Sequence, residues 1–229
     1  MQAPEFSAEW YRAITEFAYG TPAWLHTVAE IGTDAGLLLF AVLFAVRWWL
    51  ARTADARAMA LAVAGPVVTV VAYLISEVSK TLIEEERPCR AVAGAMNIVE
   101  CPAVGDWSFP SNHATIAAAA ATALAVAWRA VTPLVLPLAA LMAFSRVFVG
   151  VHYPHDVAAG FLLGSVVAGV LAVALASWTA RLVTRLRALP VTGPLLAARP
   201  PRPAGPDAPA SAAPVPAGAG GDAHGGADT

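Results

Sequence analysis

Residues 32–50 read GTDAGLLLFAVLFAVRWWL. With its flanks, this run reaches the ~20 residues needed to cross ~30 Å of hydrocarbon. Its arginine and two tryptophans fall near one end, where a membrane helix is expected to meet the headgroup layer. Four more stretches of the same kind follow at residues 58–82, 111–128, 133–149 and 157–175. The second contains Gly65 and Pro66, a kink that neighbouring helices tolerate within a bilayer. The fold class expected from these runs is all-α: a polytopic membrane helical bundle with about five transmembrane helices.

Composition agrees. Of 229 residues, 58% are hydrophobic and only 13% charged, where an ordinary soluble domain carries about a quarter charged. The net charge of −2 and the lack of a basic run give no footprint for nucleic acid, so no nucleic-acid partner is expected. The start, MQAPEFSAEWYRAITEF, is acidic and lacks the basic-then-apolar form of a cleaved signal.

Phe6, Trp10, Ile14, Phe17 and Ala18 recur at three- and four-residue steps, the stripe of a short N-terminal interfacial helix. Gly20, Thr21 and Pro22 break it, and Thr21 is placed to cap a second short helix running to Glu30. Three regions result: an N-terminal interfacial helical segment (1–30), a transmembrane domain (31–187), and a Pro/Ala/Gly-rich tail (188–229). The tail has no apolar periodicity and is expected to be disordered. No internal repeat is visible.

The arginines set the orientation. Arg47, Arg52, Arg57, Arg129, Arg181, Arg185 and Arg187 all fall on one side of five alternating spans, which the positive-inside tendency makes cytoplasmic. The opposite side receives Glu5, Glu9, Glu16, Glu30, Asp34 and the polar loop 84–110. The reading is therefore a multi-pass cell-membrane protein with a cytoplasmic C-terminal tail. Cys89 and Cys101 share the polar loop. Their spacing is not a zinc pattern. An extracytoplasmic loop would permit a disulfide between them; the alternative is two unpaired cysteines.

The polar residues at the span ends are hard to explain as packing. Lys80 and Arg87 close the second span, and Ser111 and His113 open the third. Ser145 and Arg146 end the fourth, and His152 and Asp156 open the fifth. Alternating helices put all of them at one membrane face. Arginine and lysine alone could be interface anchors, but histidines, a serine and an aspartate are poor ones. The types suit a phosphate: three cations, with arginine's planar fork matching its oxygens. Ser111 adds a hydroxyl, and the helix opening there adds free N–H groups. Lys80 and Arg87 are seven residues apart, so on one helix they would face nearly the same way, with Pro88 ending that helix.

No cysteine phosphate loop and no cluster of aspartates for two metals is present. The histidines are then the reactive groups. Asp156, four positions after His152, can hold its second ring nitrogen. His152 is thus the nucleophile candidate and His113 the general acid. His155 is read as a loop or interfacial residue.

KTLIEEERP (80–88), PSNH (110–113) and SRVFVGVHYPHD (145–156) resemble the three signature motifs of the type 2 phosphatidic-acid phosphatase family. Its membrane branch shares a core with soluble acid phosphatases and vanadium haloperoxidases. The resemblance covers about residues 30–180, in the family's order and internal spacings. It implies that Lys80, Arg87, Ser111 and Arg146 bind phosphate and that His152 forms a phosphohistidine. It further implies that Asp156 orients His152, that His113 protonates the leaving group, and that no metal or other cofactor is required. Pro110 and Ser145 are motif positions in support. Asn112 stands where the family most often has glycine, which bears on substrate, since its side chain could crowd the entrance or bond a diphosphate.

The small size, the span number and the SFPSNHA form are similar to bacterial undecaprenyl-diphosphate phosphatases of cell-wall synthesis. The activity so implied is hydrolysis of a lipid phosphate or diphosphate within the bilayer, most like undecaprenyl diphosphate to monophosphate, at the extracytoplasmic face. Phosphatidic acid, phosphatidylglycerol phosphate or a polyprenyl-phosphate sugar are the alternative substrates. A non-catalytic scaffold binding anionic membrane lipid is the alternative of another class.

Overall fold

The structure, a computed structural model, describes residues 3–197. Among these the regular elements are all helices, including one 3₁₀ turn at Arg129–Val131. The helices are α1 (Glu5–Tyr19), α2 (Ala23–Ala51), α3 (Ala56–Ile83), α4 (Pro88–Ala91), α5 (Asn112–Ala127), α6 (Thr132–Phe148), α7 (Pro154–Arg187) and α8 (Gly193–Leu196). Four stretches are long and apolar enough to cross a membrane: Ala23–Ala51, Ala56–Ala91, Arg129–Phe148 and Pro154–Arg187. About five were expected; four are long enough, and α5 is apolar but shorter.

That short helix is the centre of the bundle. It packs against α2, α3, α6 and α7, and its Ala114, Ala117 to Ala121, Ala123 and Leu124 are buried. In lipid the hydrophobic effect does not drive helices together, so close packing of small side chains must. α7 answers the alanine tract with its own small residues at four-residue steps: Gly160, Gly164, Ala168, Ala172 and Ala176, all buried. A Cβ at Gly160 would lie 2.5 Å from the Ser111 carbonyl oxygen, and one at Gly164 would run into the backbone of Thr115. These two glycines let α7 lie against the first turns of α5. On the other flank, Phe40 of α2 and Val135, Ala139 and Met142 of α6 close around Ala117, Ala120, Ala121 and Leu124.

Several local expectations are corrected. Residues 23–31 do not form a separate short helix but the first turns of α2, so the boundary drawn at residue 30 falls inside a continuous helix. No residue between Pro22 and Arg52 breaks it; Gly32 alone is insufficient. Thr21 does not cap α2. Its hydroxyl donates to the Ala18 carbonyl at 2.6 Å, sealing the end of α1, and Pro22 stands at the N-cap. The second span, by contrast, is as expected in one respect: α3 continues through Pro66. α7 runs to Arg187, beyond the 157–175 span. The first part of the 188–229 tail includes the α8 turn, where Arg52 and Arg187 donate to the carbonyls of Pro194 and Leu196. Residues 198–229, which make up most of the expected disordered tail, lie outside the described residues.

Arg52 and Arg187 meet at the end of the bundle where α2 ends and α3 begins. Arg187 also donates to the Ala51 and Ala54 carbonyls, a cation placed on a helix C-terminus. Arg52 lies over the Trp49 ring at 4.7 Å. The Asp55 side chain caps α3 through the Ala58 N–H at 2.7 Å. The buried polar residues Lys80, Glu85, Arg87, Ser108, Ser111, His152 and Asp156 lie at the other end.

Helix α1 lies against that second end. Tyr11 and Ala18 are fully buried, and the Tyr11 hydroxyl donates to the Gly150 carbonyl at 2.9 Å. Phe6, Trp10 and Phe17, members of the apolar stripe, face away from the protein at 54%, 61% and 68% exposure.

Candidate active site

Four chain segments converge at the polar end. The first is the end of α3 and its extension. α3 stops at Ile83, and Glu84 takes a left-handed conformation (φ 50°). Arg87 therefore lies beyond the helix, and Pro88 opens α4 at its first position rather than ending α3. Lys80 and Arg87 do not share one helix face as expected, yet both reach one point. Lys80 Nζ is 3.2 Å and Arg87 Nη2 2.8 Å from the same oxygen, Asp106 Oδ1. Arg87 Nε also donates to the Asp106 carbonyl at 2.8 Å.

The second segment is the loop carrying Asp106. Cys89 and Cys101 are joined in a disulfide, so the bridge left open by the sequence is formed. Arg90 holds the same loop through Glu86 and the Pro102 carbonyl. A cavity of about 350 Å³ opens beside it, lined by Glu77, Lys80, Thr81 and residues 103–107. Partial burial raises the Asp106 pKa, but the hydrogen bond and charge of Arg87, and then Lys80, hold it below the ordinary carboxylate value. It is an anion seated between two cations expected to hold phosphate.

The third segment begins after a cis Phe109–Pro110 bond. Ser111 is the N-cap of α5, and its buried Oγ has no hydrogen-bond partner among the described residues, which leaves the hydroxyl open to a ligand. His113 Nε2 lies 3.5 Å from Asp34 Oδ1 of α2. Asn112 does not crowd the site. Its Oδ1 accepts from Ser76 Oγ at 2.7 Å and its Nδ2 donates to Glu77 Oε2 at 2.5 Å, which ties the side chain to α3.

The fourth segment is the turn from α6 to α7. Arg146 contributes a buried Nε without a hydrogen-bond partner among the described residues, and its carbonyl accepts from the N–H groups of Val151 and His152 at 3.2 and 3.3 Å. Gly150 makes the turn with φ 88°, and a Cβ there would lie 2.8 Å from Asn97 Cα; both facts require glycine. Ser145 does not face the phosphate position. It bonds Thr33 Oγ1 at 2.5 Å and the Met142 carbonyl at 2.8 Å, joining α6 to α2.

His152 is 1% exposed. Its Nδ1 is 3.3 Å from Asp156 Oδ2 and its Nε2 3.2 Å from Arg87 Nη1. Arg87 Nη1 also donates to the Val151 carbonyl at 3.0 Å. Burial first, then the charges of Arg87, Lys80 and Arg146, push the His152 pKa well below its ordinary value. The ring is neutral at pH 7. With Nδ1 carrying the proton toward Asp156, the Nε2 lone pair faces the cations. Asp156 Oδ2 is fixed by two further contacts, Ser108 Oγ at 2.5 Å and the Tyr153 N–H at 2.8 Å, the second of which caps the start of α7.

A basic nitrogen aimed at a cationic, partly unpartnered pocket can attack a phosphorus centre whose oxygens those cations hold. His113 lies on the neighbouring helix, where a proton donor for the departing oxygen belongs. The sequence-selected residues Lys80, Arg87, Ser111, Arg146, His152 and Asp156 are thus all brought to this end of the bundle, together with His113. Ser145 and Asn112 serve helix packing instead, and Pro110 shapes the approach to Ser111. Sequence reasoning missed Asp106, Ser108, Glu85 and Asp34. Only Asp34 carried a signal: a carboxylate inside an apolar run.

Comparison with known proteins follows the same residues. The sequence profile of the PAP2 superfamily matches residues 57–181, more than half of the chain. The undecaprenyl-diphosphatase of Sulfolobus acidocaldarius is 38% identical over 99 residues, 42% of this chain and 46% of that protein. The decaprenylphosphoryl-5-phosphoribose phosphatase of Mycobacterium tuberculosis is 42% identical over 101 residues, 44% of this chain and 54% of that protein. The matched part spans about half the length of these curated relatives. Among solved structures, the PAP2-type phosphatidylglycerolphosphate phosphatase of Bacillus subtilis superposes with a TM-score of 0.57 at 24% identity, over 76% of this chain and 88% of that one; that likeness speaks to fold alone. The chain belongs to the PAP2 superfamily.

Proposed function

We propose that this protein hydrolyses a phosphate monoester or diphosphate on a membrane lipid through a phosphohistidine at His152. The observation that carries the reading is the two-sided hold on a fully buried imidazole: Asp156 on Nδ1 and Arg87 on Nε2. In the first step Arg87 Nη1 passes from Nε2 to a phosphoryl oxygen, the freed Nε2 lone pair attacks phosphorus, the bond to the leaving oxygen breaks, and His113 gives that oxygen its proton. In the second, His113 takes a proton from water, whose oxygen displaces His152 and releases inorganic phosphate. Lys80, Arg87, Arg146, the Ser111 hydroxyl and the α5 N-terminus hold the phosphoryl oxygens throughout. Each group acts by position and charge, so the scheme needs no metal or other cofactor.

In this reading five helices cross the bilayer. α5 is the short one, about 24 Å long at 1.5 Å per residue, lengthened by its flanking residues. α1 lies in the interface with Phe6, Trp10 and Phe17 toward lipid. The arginine-rich end is cytoplasmic, the site is extracytoplasmic, and the chain beyond α8 is a cytoplasmic tail outside the catalytic domain. The substrate proposed is a polyprenyl diphosphate such as undecaprenyl diphosphate. Both curated relatives described above are named for prenyl-linked phosphates, which supports that class.

The experiment is phosphate release in mixed micelles from C55 diphosphate, phosphatidic acid and phosphatidylglycerol phosphate, each beside His152→Ala. Preference for the prenyl substrate, lost in the variant, is the expected result. Preference for a glycerolipid would replace the substrate proposal. Absence of release from every substrate would leave the lipid-binding scaffold as the reading.

A further inference from the structure

A second buried cluster lies directly behind the Asp156 carboxylate and has no part in the scheme above. His155 Nε2 lies 3.0 Å from Glu85 Oε1 and 3.2 Å from Asp156 Oδ1. Both carboxylates are buried, Glu85 at 2% and Asp156 at 0% exposure. Among the described residues neither oxygen has another hydrogen-bond partner, so the His155 ring is what answers their charge. The other ring nitrogen, Nδ1, meets Ser7 Oγ of α1 at 2.7 Å. The ring itself is stacked between Phe109, with centroids 5.6 Å apart, and Tyr153 at 5.4 Å. Four separate parts of the chain thus fix this one imidazole: α1, the link after α3, the segment before α5, and α7.

Two buried carboxylates this close cannot both ionise without a counter-charge; left alone they would share a proton. Arg87 and Lys80 are committed to Asp106 and the His152 side of the site. Among the described residues, the cation given to Glu85 and Asp156 is His155. The Oδ2 atom of Asp156 is the one facing His152, and Oδ1 is the one facing His155. The state of the first oxygen therefore depends on what neutralises the second.

We infer that His155, as an imidazolium bridging Glu85 and Asp156, is a positioning residue that keeps Asp156 ionised and so keeps His152 oriented for attack. It touches neither substrate nor the reacting nitrogen and acts through Asp156. Without it, one proton settles on the Glu85–Asp156 pair, and the acceptor for His152 Nδ1–H weakens wherever that proton remains bound. Glu85 becomes harmful only when the imidazolium is gone.

This rests on the proposed phosphatase activity, and the test separates the two. Wild-type protein, His155→Phe and the double variant His155→Phe/Glu85→Gln are purified in full length. Phosphate release is then followed from pH 5.5 to 8.5 with the substrate that wild type uses best. Phenylalanine keeps the stack between Phe109 and Tyr153 while removing the charge. The single variant is expected to show kcat/KM about tenfold lower than wild type at pH 6, a shift of about one unit in the acid limb. It should converge on wild type above pH 8, where the shared proton is lost, and the double variant should recover most of the deficit at pH 6. His155→Gln, which retains a donor without charge, should shift the limb in the same direction and carries the test if the phenylalanine variant does not fold.

A deficit equal at every pH, or one that Glu85→Gln does not relieve, would mean that His155 serves packing alone. Activity abolished by chelation and restored by a divalent cation would make the cluster a metal site and overturn the ion-pair reading. Lack of release by the wild type itself would instead sink the phosphatase proposal.

Discussion

Arg87 Nη2 donates to Asp106 Oδ1 at 2.8 Å, so a residue expected to grip phosphate is already holding a carboxylate. Lys80 shares that oxygen at 3.2 Å. A lipid phosphate entering the site must displace an anion that belongs to the protein.

Asp106→Asn should therefore tighten binding. Asp106 is half exposed, with 48% of its side chain open, so solvent screening reduces its advantage to about 1 kcal/mol. The expected outcome is a KM about three- to tenfold lower at little change in kcat, with inorganic phosphate or vanadate inhibiting at correspondingly lower concentration. A KM that rises instead would show that Asp106 holds Arg87 in its working position.

Removal of the reactive groups gives a sharper signature. Acid–base catalysis by a placed side chain contributes about 10²- to 10⁴-fold, so His113→Ala should lose turnover within that range while KM moves little. His152→Ala should lose turnover further and fail to acquire the base-stable, acid-labile phosphoryl label expected of wild type quenched during turnover. A label that persists in His152→Ala would locate the nucleophile elsewhere.

His152 should also leave a mark on stability. Its pKa is depressed in the folded protein by burial and then by Arg87, Lys80 and Arg146, whereas an unfolded histidine titrates at about 6.5. Below that value the unfolded chain binds a proton that the folded site refuses, so stability falls as pH drops. Thermal unfolding in detergent should thus show a steeper decline from pH 7.5 to 5.5 for wild type than for His152→Asn. Parallel declines would mean that the native imidazole protonates freely.

Packing of α7 on α5 predicts a contrast among glycines. A methyl group at Gly164 meets the Thr115 backbone, whereas one at Gly169 meets only Thr122 Cγ2 at an ordinary 3.6 Å. Overpacking of a close helix contact costs about 1–3 kcal/mol, so Gly164→Ala should melt earlier in detergent and Gly169→Ala should not. Equal melting would place the helices further apart than described.

The disulfide closes a loop outside the helical bundle. Replacing Cys89 and Cys101 together by serine should lower KM several-fold, because the loop holds the competing Asp106 carboxylate beside Lys80 and Arg87. Melting of the bundle should change less than it does for Gly164→Ala. Unchanged kinetics would show that Arg90, through Glu86 and Pro102, suffices to hold the loop.

The sequence was most legible where residue type and helix periodicity carried the same message. Lys80, Ser111, Arg146, His152 and Asp156 sit at helix ends, and alternation of apolar runs is enough to bring such ends to one face. Asp106, Ser108 and Glu85 occupy connecting segments without periodicity, and their partners are chosen only once the bundle has closed. Asn112 shows the complementary error. Its place in the motif points to phosphate, but a side chain near a helix start can reach a neighbouring helix as readily as a ligand, and Ser76 and Glu77 take it. At the N-terminus, Thr21 had the chemistry of a cap, yet its hydroxyl closes the helix behind it, because Pro22 already fixes the geometry of the next.

Helix α1 holds the catalytic turn at two points, through Tyr11 to the Gly150 carbonyl and through Ser7 to His155. Gly150 stands two residues ahead of His152, so a tilt or a lift of α1 is felt at once by the backbone that aims the imidazole. With α1 at the lipid surface, as proposed, force acting sideways there and the precision of the chemistry would share a single lever, and membranes of different thickness or tension would be different working conditions.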